Sequence, residues 1–296
     1  SDYTKPQVYS YDSGTHELRT NIYTLARYIP VKNLILSAGV RQMWVTGVVA
    51  PLMPSFDAKF IVKSGINQTL SLRGSISRSI KVPTLNDRYW GGNNLYLKSE
   101  RSFTAETGAD YSLMVNKTSA DAWFTIYRSD VRDWIRWLPA GSVWRPQNIP
   151  SVLSTGLEAG IKVSGKIGEL NCGVNANYNY SNIRMLESLM PEDPSVGKQL
   201  AYQPRHLFNT TLKAEHSGLT LFFTTLYTGR RTTVDIFDIM PAYLVFDAGA
   251  IYKFKLLGYK WTSTAKIMNL ADKQYQNIKF YAMPGINFRA SLQWNF

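Results

Sequence analysis

The sequence predicts an all-β protein, an antiparallel transmembrane β-barrel, and three observations carry that prediction. The last eleven residues alternate without error between apolar residues and the polar residues Asn287, Arg289, Ser291, Gln293 and Asn295. A period of two places one face of a strand in hydrocarbon and the other in water. The same alternation recurs in segments along the chain. Short connections between these segments alternate with long ones.

The C-terminal strand has the length that a membrane barrel requires. Its apolar residues are Ile286, Phe288, Ala290, Leu292, Trp294 and Phe296. About 9–11 tilted residues cross the hydrocarbon in such barrels, with aromatic residues at the interfaces. We therefore expect Phe288, Leu292, Trp294 and Phe296 to form the signal by which the barrel-insertion machinery takes up the chain.

Composition excludes a helical membrane protein. No run approaches the roughly 18 apolar residues of a spanning helix, and the mean hydropathy is −0.19. The 18 Tyr, 13 Phe and 8 Trp suit strands and the two aromatic girdles of a barrel.

The charge and the cysteine content narrow the class further. The net charge is +12, but the basic residues are spread singly along the chain, so nucleic acid is not an expected partner. The single cysteine, Cys172, excludes an internal disulfide.

The strands can be followed in order along the chain. Alternation is clear near residues 70–76, 103–113, 157–163 and 170–180. Weaker alternation occurs near 17–29, 33–46, 56–63, 121–129, 205–216, 219–228, 243–254 and 260–268. With the C-terminal strand this predicts about thirteen strands, and a possible fourteenth near 5–12.

The connections predict two different rims. Short turns are expected at 30–33, 63–67, 116–119, 165–168, 216–218 and 257–258. Long loops are expected at 47–55, 80–101, 130–152, 182–204, 229–241 and 270–284. Tight periplasmic turns and long extracellular loops are typical of outer-membrane barrels. A soluble sandwich or lipocalin-type barrel is the alternative, but it needs a bulky inner face, whereas the apolar face here often carries Ala and Gly.

Several segments resemble the TonB-dependent receptors of Gram-negative outer membranes, in the order found in that family. The first are Ser77–Trp90, containing Pro83-Thr84-Leu85-Asn86, then Gly92–Glu100 and Thr104–Gly108. Further matches are Asp133–Pro139, Pro146–Ile149, Ser154–Glu158, Asn269–Tyr275 and Met283–Phe288. The matches span roughly residues 70–296. Asn94, Tyr96, Ser99 and Ile286 depart from the usual pattern, which weakens assignment to a subfamily more than to the family.

The resemblance implies a C-terminal portion of a 22-stranded barrel that closes around an N-terminal plug. Residues 1–296 are then all barrel, and the plug with its Ton box is not in this chain. The residues at Ser1 show no secretory signal, which fits a mature chain or a fragment; we expect the fragment. An independent 14-stranded barrel is the alternative.

The resemblance also implies a function. The expected protein is an outer-membrane receptor and transporter for a large scarce nutrient, closest to the cobalamin branch, with ferric siderophore or haem as the alternative. Its implied partners are the energy-transducing TonB complex, acting through the plug, outer-membrane lipid and lipopolysaccharide, the insertion machinery and a possible surface lipoprotein. A passive 14-stranded pore and an outer-membrane enzyme are the competitors from other classes.

The residues offer little for catalysis. The three histidines, His16, His206 and His216, lie in no metal-ligand spacing, and no nucleophile elbow or phosphate-binding loop occurs. We therefore predict no enzyme activity, no catalytic residue, no metal and no cofactor.

Three expected loops carry candidate ligand contacts. The first contains Trp137, Trp144 and Arg145 among other Trp and Arg residues. Aromatic rings and guanidinium groups together can hold a planar or anionic ligand. These Trp residues could instead belong to the outer aromatic girdle. The second loop offers Tyr89, Trp90, Asn93 and Asn94. The third begins with Arg230 and Arg231, which could meet acidic ligand groups or lipopolysaccharide phosphates.

Overall fold

The computed structural model describes residues 2–3, 16–90, 94–140 and 143–295. The expected all-antiparallel sheet is confirmed. Thirteen long strands follow one another in chain order, and the two-residue strand Val48–Val49 pairs with the second of them. The long strands are β1 (Arg19–Val31), β2 (Leu34–Val45), β3 (Met53–Ser64), β4 (Gln68–Lys81), β5 (Glu100–Val115), β6 (Thr118–Ala140), β7 (Val143–Ile167), β8 (Leu170–Glu187), β9 (His206–His216), β10 (Leu219–Thr228), β11 (Tyr243–Leu256), β12 (Tyr259–Met268) and β13 (Asn287–Asn295). The possible strand near 5–12 falls outside the described residues.

The short connections are tight hairpin turns, as predicted. Ser217 and Gly218 both have positive φ, 46° and 83°, and so do Leu257 and Gly258, at 52° and 80°. Two consecutive positive φ values define the turn whose twist matches that of the flanking strands. All the short turns lie at one end of the strands because antiparallel neighbours reverse direction at each connection.

The expected long loop at 130–152 is wrong. Strand β6 runs on to Ala140 and β7 begins at Val143, so these strands have 23 and 25 residues. The register continues through this region, with Trp134 opposite Ile149 and Trp137 opposite Pro146. Asp133 has φ of 57° and interrupts the ladder beside Pro150, which cannot donate a hydrogen bond. The prolines and charges suggested a loop, but the β-branched and aromatic residues between them pair across the hairpin.

The other long connections contain small elements of their own. The 80–101 connection includes the helix α1 (Leu85–Tyr89). Strand β8 continues to Glu187, past the expected start of its loop at 182. Short strand pairs join Arg231–Thr232 to Ile239–Met240 and Gln276–Ile278 to Tyr281–Ala282.

The two faces of the sheet differ as the alternation predicts. On the polar face, the Arg73 and Asp110 side chains form an ion pair at 3.3 Å, and Lys266 pairs with Asp247 at 2.8 Å. Asn179 donates to Glu158 across the β7–β8 ladder. These cross-strand contacts satisfy charges that would otherwise lie unpaired along a lumen.

The apolar face leaves large hydrophobic side chains uncovered. Phe288, Leu292 and Trp294 are each more than half exposed, at 73%, 58% and 56%. Trp294 lies beside Trp261 of β12, with ring centroids 5.8 Å apart. A continuous apolar surface of this kind is typical of a membrane contact. Phe296 lies outside the described residues, and the role of this strand as an insertion signal stays a prediction.

The sheet is open in the described part of the chain. Each of its edge strands, β1 and β13, has one neighbour, and they do not pair with each other. Residues 20–31 of β1 are all exposed. No helix among the described residues is long and apolar enough to span a membrane.

The apolar face can be tested at Leu292. We expect Leu292→Arg to cost about 2–4 kcal/mol if this face meets the bilayer midplane. The measurement is the yield of inserted, heat-modifiable protein in outer-membrane fractions. Ser291→Arg, on the opposite face of the same strand, is the matched control and should insert. Normal insertion of Leu292→Arg together with failure of Ser291→Arg would reverse the assignment of the two faces.

Candidate functional site: the rim formed by the long connections

The β6–β7 hairpin forms a wall at the long-connection end of the sheet, and the 188–205 loop packs against it. Leu200 of the loop joins Ile149, Val152 and Met185 in a buried apolar cluster. The backbone of the loop also bonds to β8, since Leu200 N–H donates to the Ile183 carbonyl at 2.7 Å. The loop therefore lies on the inner side of the hairpin wall, where Val152 and Ile183 point.

A cavity of about 390 Å³ lies between this wall and two loops, 188–205 and 229–242. The strand wall contributes Arg136, and the loops contribute Leu189, Met190 and Phe237. These three apolar side chains are largely exposed, at 71%, 68% and 84%. A concave site with a few polar groups among apolar side chains is typical of ligand binding.

Arg136 is the cation of this cavity. Its side chain is half-buried, and Nη2 lies 3.4 Å from the Ala201 carbonyl oxygen. Within the described residues it forms no ion pair with a carboxylate. A half-buried guanidinium without a carboxylate partner is suited to an anionic group of a ligand.

Asp193 holds the shape of the 188–205 loop. Its carboxylate accepts hydrogen bonds from the Ser188 and Ser195 hydroxyls, both at 2.6 Å, and from the Ser195 N–H at 2.9 Å. Partial burial alone would raise the pKa of this carboxyl, but these hydrogen bonds outweigh it and hold the pKa below its usual value. The charged form is therefore the one that orders the loop.

The predicted residues near α1 have mainly structural contacts. Asn94 is buried, and its amide donates to the carbonyl oxygens of Asp87 and Trp90 at 3.2 and 3.1 Å. Trp90 itself is exposed, and Tyr89 is half-buried beneath the Arg88 guanidinium. Asn93 lies outside the described residues. Of the described residues in this group, Trp90 is thus the most accessible to a ligand.

Trp137 joins the hairpin wall to α1. Its indole Nε1 donates to Asp87 Oδ1 at 3.0 Å. Asp87 also closes a capping box, since its carboxylate accepts from the Thr84 N–H at 2.9 Å while its own N–H donates to the Thr84 hydroxyl. The Trp137 indole is therefore held against α1 by this hydrogen bond, and its contact with a ligand stays a prediction.

Trp144 and Arg145 are accessible near the tip of the hairpin. Both are exposed, opposite Pro139 and Leu138 in the register. They lie beyond the Arg136 cavity along the wall, and neither lines it. Their contact with a ligand stays a prediction.

Arg230 and Arg231, although adjacent, have different surroundings. Arg230 is exposed. Arg231 is buried, donates to the Gln276 carbonyl and lies 5.2 Å from the Tyr243 ring centroid. Burial lowers the pKa of the Arg231 guanidinium, while Tyr243 acts in the opposite direction. Arg231 therefore ties its loop to the 270–286 connection, and Arg230 is the one open to an anion.

Some features of the rim could not be identified from the sequence. The sequence predicts Arg136 in a loop with Arg132 and Arg145, and nothing in it indicates that Arg136 is the one of the three that lines the cavity. Met190 and Phe237 carry no motif, and only their apolar character within polar loops marks them. Among the described residues, no three His, Cys, Asp or Glu side chains converge as a metal site.

The 188–205 loop should loosen in acid. Because the pKa of Asp193 is lowered in the folded protein, its stabilising contribution is present above the usual value of 3.8 and is lost as the pH falls through the folded value. Hydrogen exchange of residues 188–205, corrected for the intrinsic effect of pH, should accelerate below about pH 4. Asp193→Ala should exchange rapidly at every pH, and equal protection in this variant at neutral pH would contradict the role assigned to Asp193.

The comparisons with known proteins agree with this architecture. The family model described as "TonB dependent receptor-like, beta-barrel" matches residues 1–270. Comparison with curated protein sequences gives no match.

Solved structures of similar fold include receptors and transporters. A point mutant of the ferric enterobactin receptor PfeA from Pseudomonas aeruginosa is 19% identical with a TM-score of 0.66, over 95% of this chain and 45% of that one. The siderophore receptor PirA from Acinetobacter baumannii is 17% identical with a TM-score of 0.65, over 97% and 47%. The copper transporter OprC is 15% identical with a TM-score of 0.65, over 93% and 47%. The chain thus spans slightly less than half the length of these structures.

Proposed function

Because the chain belongs to the TonB-dependent receptor β-barrel family of Gram-negative outer membranes, we propose that it binds and imports a large anionic metal complex. Members of this family are receptors and transporters, not enzymes. The rim of long connections then faces the outside of the cell, and the apolar face of the sheet meets the bilayer. Entry of the ligand would depend on the TonB complex pulling on a plug.

The Arg136 cavity is the observation that carries this proposal. It combines one guanidinium without a carboxylate partner with exposed Leu189, Met190 and Phe237. Ferric siderophores are bulky and often anionic, which suits this combination of charge and apolar surface. The names of two structural relatives, a ferric enterobactin receptor and a siderophore receptor, support the same class of ligand.

Cobalamin is the second candidate within the class. Its support is the resemblance of five segments to the cobalamin branch: Asp133–Pro139, Pro146–Ile149, Ser154–Glu158, Asn269–Tyr275 and Met283–Phe288. The first two of these segments pair with each other on the hairpin wall, beside the proposed cavity. A large corrin could lie against such a wall, with Trp144 as an aromatic contact.

A binding panel separates these candidates. Full-length protein in detergent is titrated with ferric enterobactin, a ferric hydroxamate, haem, cupric ion and cyanocobalamin, and intrinsic tryptophan quenching is followed. We expect submicromolar binding of a ferric siderophore, and Arg136→Gln should weaken it about tenfold or more, since hydrogen bonds between charged groups contribute roughly 1.5–3 kcal/mol.

Lys117→Gln is the control for this panel, because it removes one positive charge at the opposite rim. It should leave the affinity unchanged. Submicromolar binding of cyanocobalamin alone would replace the siderophore assignment. A protein that binds none of these ligands, yet lets small sugars permeate liposomes, would be a passive pore.

We further propose that strands outside these 296 residues complete the barrel and that a plug domain fills it. The support is the pair of edges, β1 and β13, each of which lacks a second neighbour among the described residues, since an open edge cannot be tolerated in hydrocarbon. A plug would also provide partners for polar side chains on the inner face. The rival is a small barrel in which β1 and β13 pair directly.

Cysteine cross-linking tests this closure in the full-length protein. With Cys172 replaced by Ser, a cysteine at Ser291 is combined with single cysteines along Tyr23–Ile29. We expect no cross-link in membranes, because other strands would separate these edges. The pair Thr264→Cys and Ser291→Cys, which are opposite in the β12–β13 register, is the positive control. An efficient β1–β13 cross-link would establish the small barrel.

A further inference from the structure

A trough runs across the membrane-facing side of the sheet, and neither ligand uptake nor the plug accounts for it. Its floor consists of Ala58, Gly74 and Thr107, which are register neighbours on β3, β4 and β5. The larger side chains of Phe56, Ile76 and Ile126 border it, and each is between 45% and 55% exposed. The trough is open along its length and has a volume of about 910 Å³.

The trough lies on the face that meets lipid. Phe56 and Ala58 alternate with Asp57, and Gly74 and Ile76 alternate with Ser75. The neighbouring Arg73 points to the other face, where it pairs with Asp110. The trough is therefore open to hydrocarbon chains, and a cluster of small residues among exposed large ones has room for one of them.

Two arginines lie where the trough reaches the outer boundary of the hydrocarbon, and two more lie further along the strands. Arg128 lines its end, and Arg78 lies two residues beyond Ile76 on β4. Both are ten residues from the start of their strands at the short-turn rim, at Thr118 and Gln68. With strands tilted by about 40°, ten residues rise about 25 Å, which is the height of the apolar band. Arg101 and Arg132 follow on the same face.

These guanidinium groups are available to a ligand. Arg128, Arg132 and Arg101 are 62%, 57% and 52% exposed, in ion pairs of 3.0, 2.9 and 2.6 Å with Asp130, Glu187 and Asp133. Arg78 is exposed and has no ion pair within the described part of the chain. Exposed ion pairs stabilise a fold little, so a phosphate can take the place of a carboxylate at low cost.

The register brings two of the arginines to one headgroup. Ile76, Ala105 and Arg128 lie in line across β4, β5 and β6, and Arg78 is one pair further along. From strand spacings, the Cα atoms of Arg78 and Arg128 are about 12 Å apart. Arginine side chains on either side can converge above the exposed ring of Phe103, which lies between Arg78 and Asp130 in the register.

We propose that this surface is a binding site for a phosphorylated glycolipid of the outer leaflet. One acyl chain lies in the trough over Ala58, Gly74 and Thr107, and a phosphate is held by Arg78 and Arg128. Several guanidinium groups at one boundary favour a lipid with more than one phosphate over a zwitterionic phospholipid. This inference rests on the barrel and its orientation and does not depend on which ligand is imported.

Native mass spectrometry of the full-length protein tests the site. The detergent-solubilised protein is delipidated and titrated with diphosphoryl lipid A, monophosphoryl lipid A, phosphatidylethanolamine and inorganic phosphate. We expect diphosphoryl lipid A to bind at least tenfold more tightly than phosphatidylethanolamine, with monophosphoryl lipid A in between. Inorganic phosphate should compete only weakly, because it lacks the acyl chain.

Variants locate the two halves of the site. Arg78→Gln with Arg128→Gln should weaken lipid A binding about tenfold, whereas Lys117→Gln with Lys166→Gln, which removes two charges at the short-turn rim, should not. Gly74→Leu should fill the trough and weaken every acylated ligand; a Cβ at Gly74 has its nearest neighbour at 3.6 Å, so the fold can accept the change.

The proposal is overturned if the arginine pair variant binds lipid A like the unaltered protein, or if phosphatidylethanolamine binds equally well. If inorganic phosphate displaces bound lipid A as effectively as lipid A itself does, the surface is only an anion site, and the proposed acyl-chain contact is rejected. If the arginine variant does not insert, as judged by heat-modifiable mobility, Gly74→Leu decides, and unchanged lipid A binding by that variant also rejects the site.

Discussion

The pairing of every backbone amide in hydrocarbon is the constraint on which the rest of this structure depends. Since lipid offers no hydrogen-bond partner, the chain crosses the apolar band only as strands with a neighbour on each side. From this follow the unbroken ladders from β1 to β13, the strict alternation of faces and the tight turns at one rim. The connections at the other rim lie in water, and the helix, the short strand pairs and the irregular loops of the structure are concentrated there.

The sequence predicts well where this constraint acts, and poorly where it does not. Alternation along Leu170–Ser181 or Asn287–Asn295 is imposed by the two solvents on either side of the sheet, so it identifies strands directly. Beyond the membrane the outer face of the β6–β7 hairpin no longer meets lipid, so nothing requires it to be apolar and the period weakens. The segment around Pro146 therefore resembles a loop in sequence, although its strands pair on both sides of the interruption at Asp133.

The rim depends on contacts between residues far apart in sequence. Asp87 and Trp137 are hydrogen-bonded over a separation of 50 residues, and nothing local to either residue indicates it. Neighbours such as Arg230 and Arg231 diverge because one carbonyl, that of Gln276, is within reach of only the second. Composition could thus identify the type of residue used at this surface, but not which of them remain accessible.

The β6–β7 hairpin gives the rim an uneven stiffness. Apart from the interruption at Asp133 and Pro150, its ladder continues from the membrane to Pro139 and Trp144, and backbone pairing resists bending along its length. The opposing parts of the cavity, 188–205 and 229–242, are held by isolated backbone bonds, such as Leu200 N–H to the Ile183 carbonyl, and by side-chain bonds from single residues such as Asp193. In the proposed binding role, Arg136 would therefore be carried by the paired hairpin, and the two loops opposite it would be the parts of the cavity that adapt to the shape of a ligand.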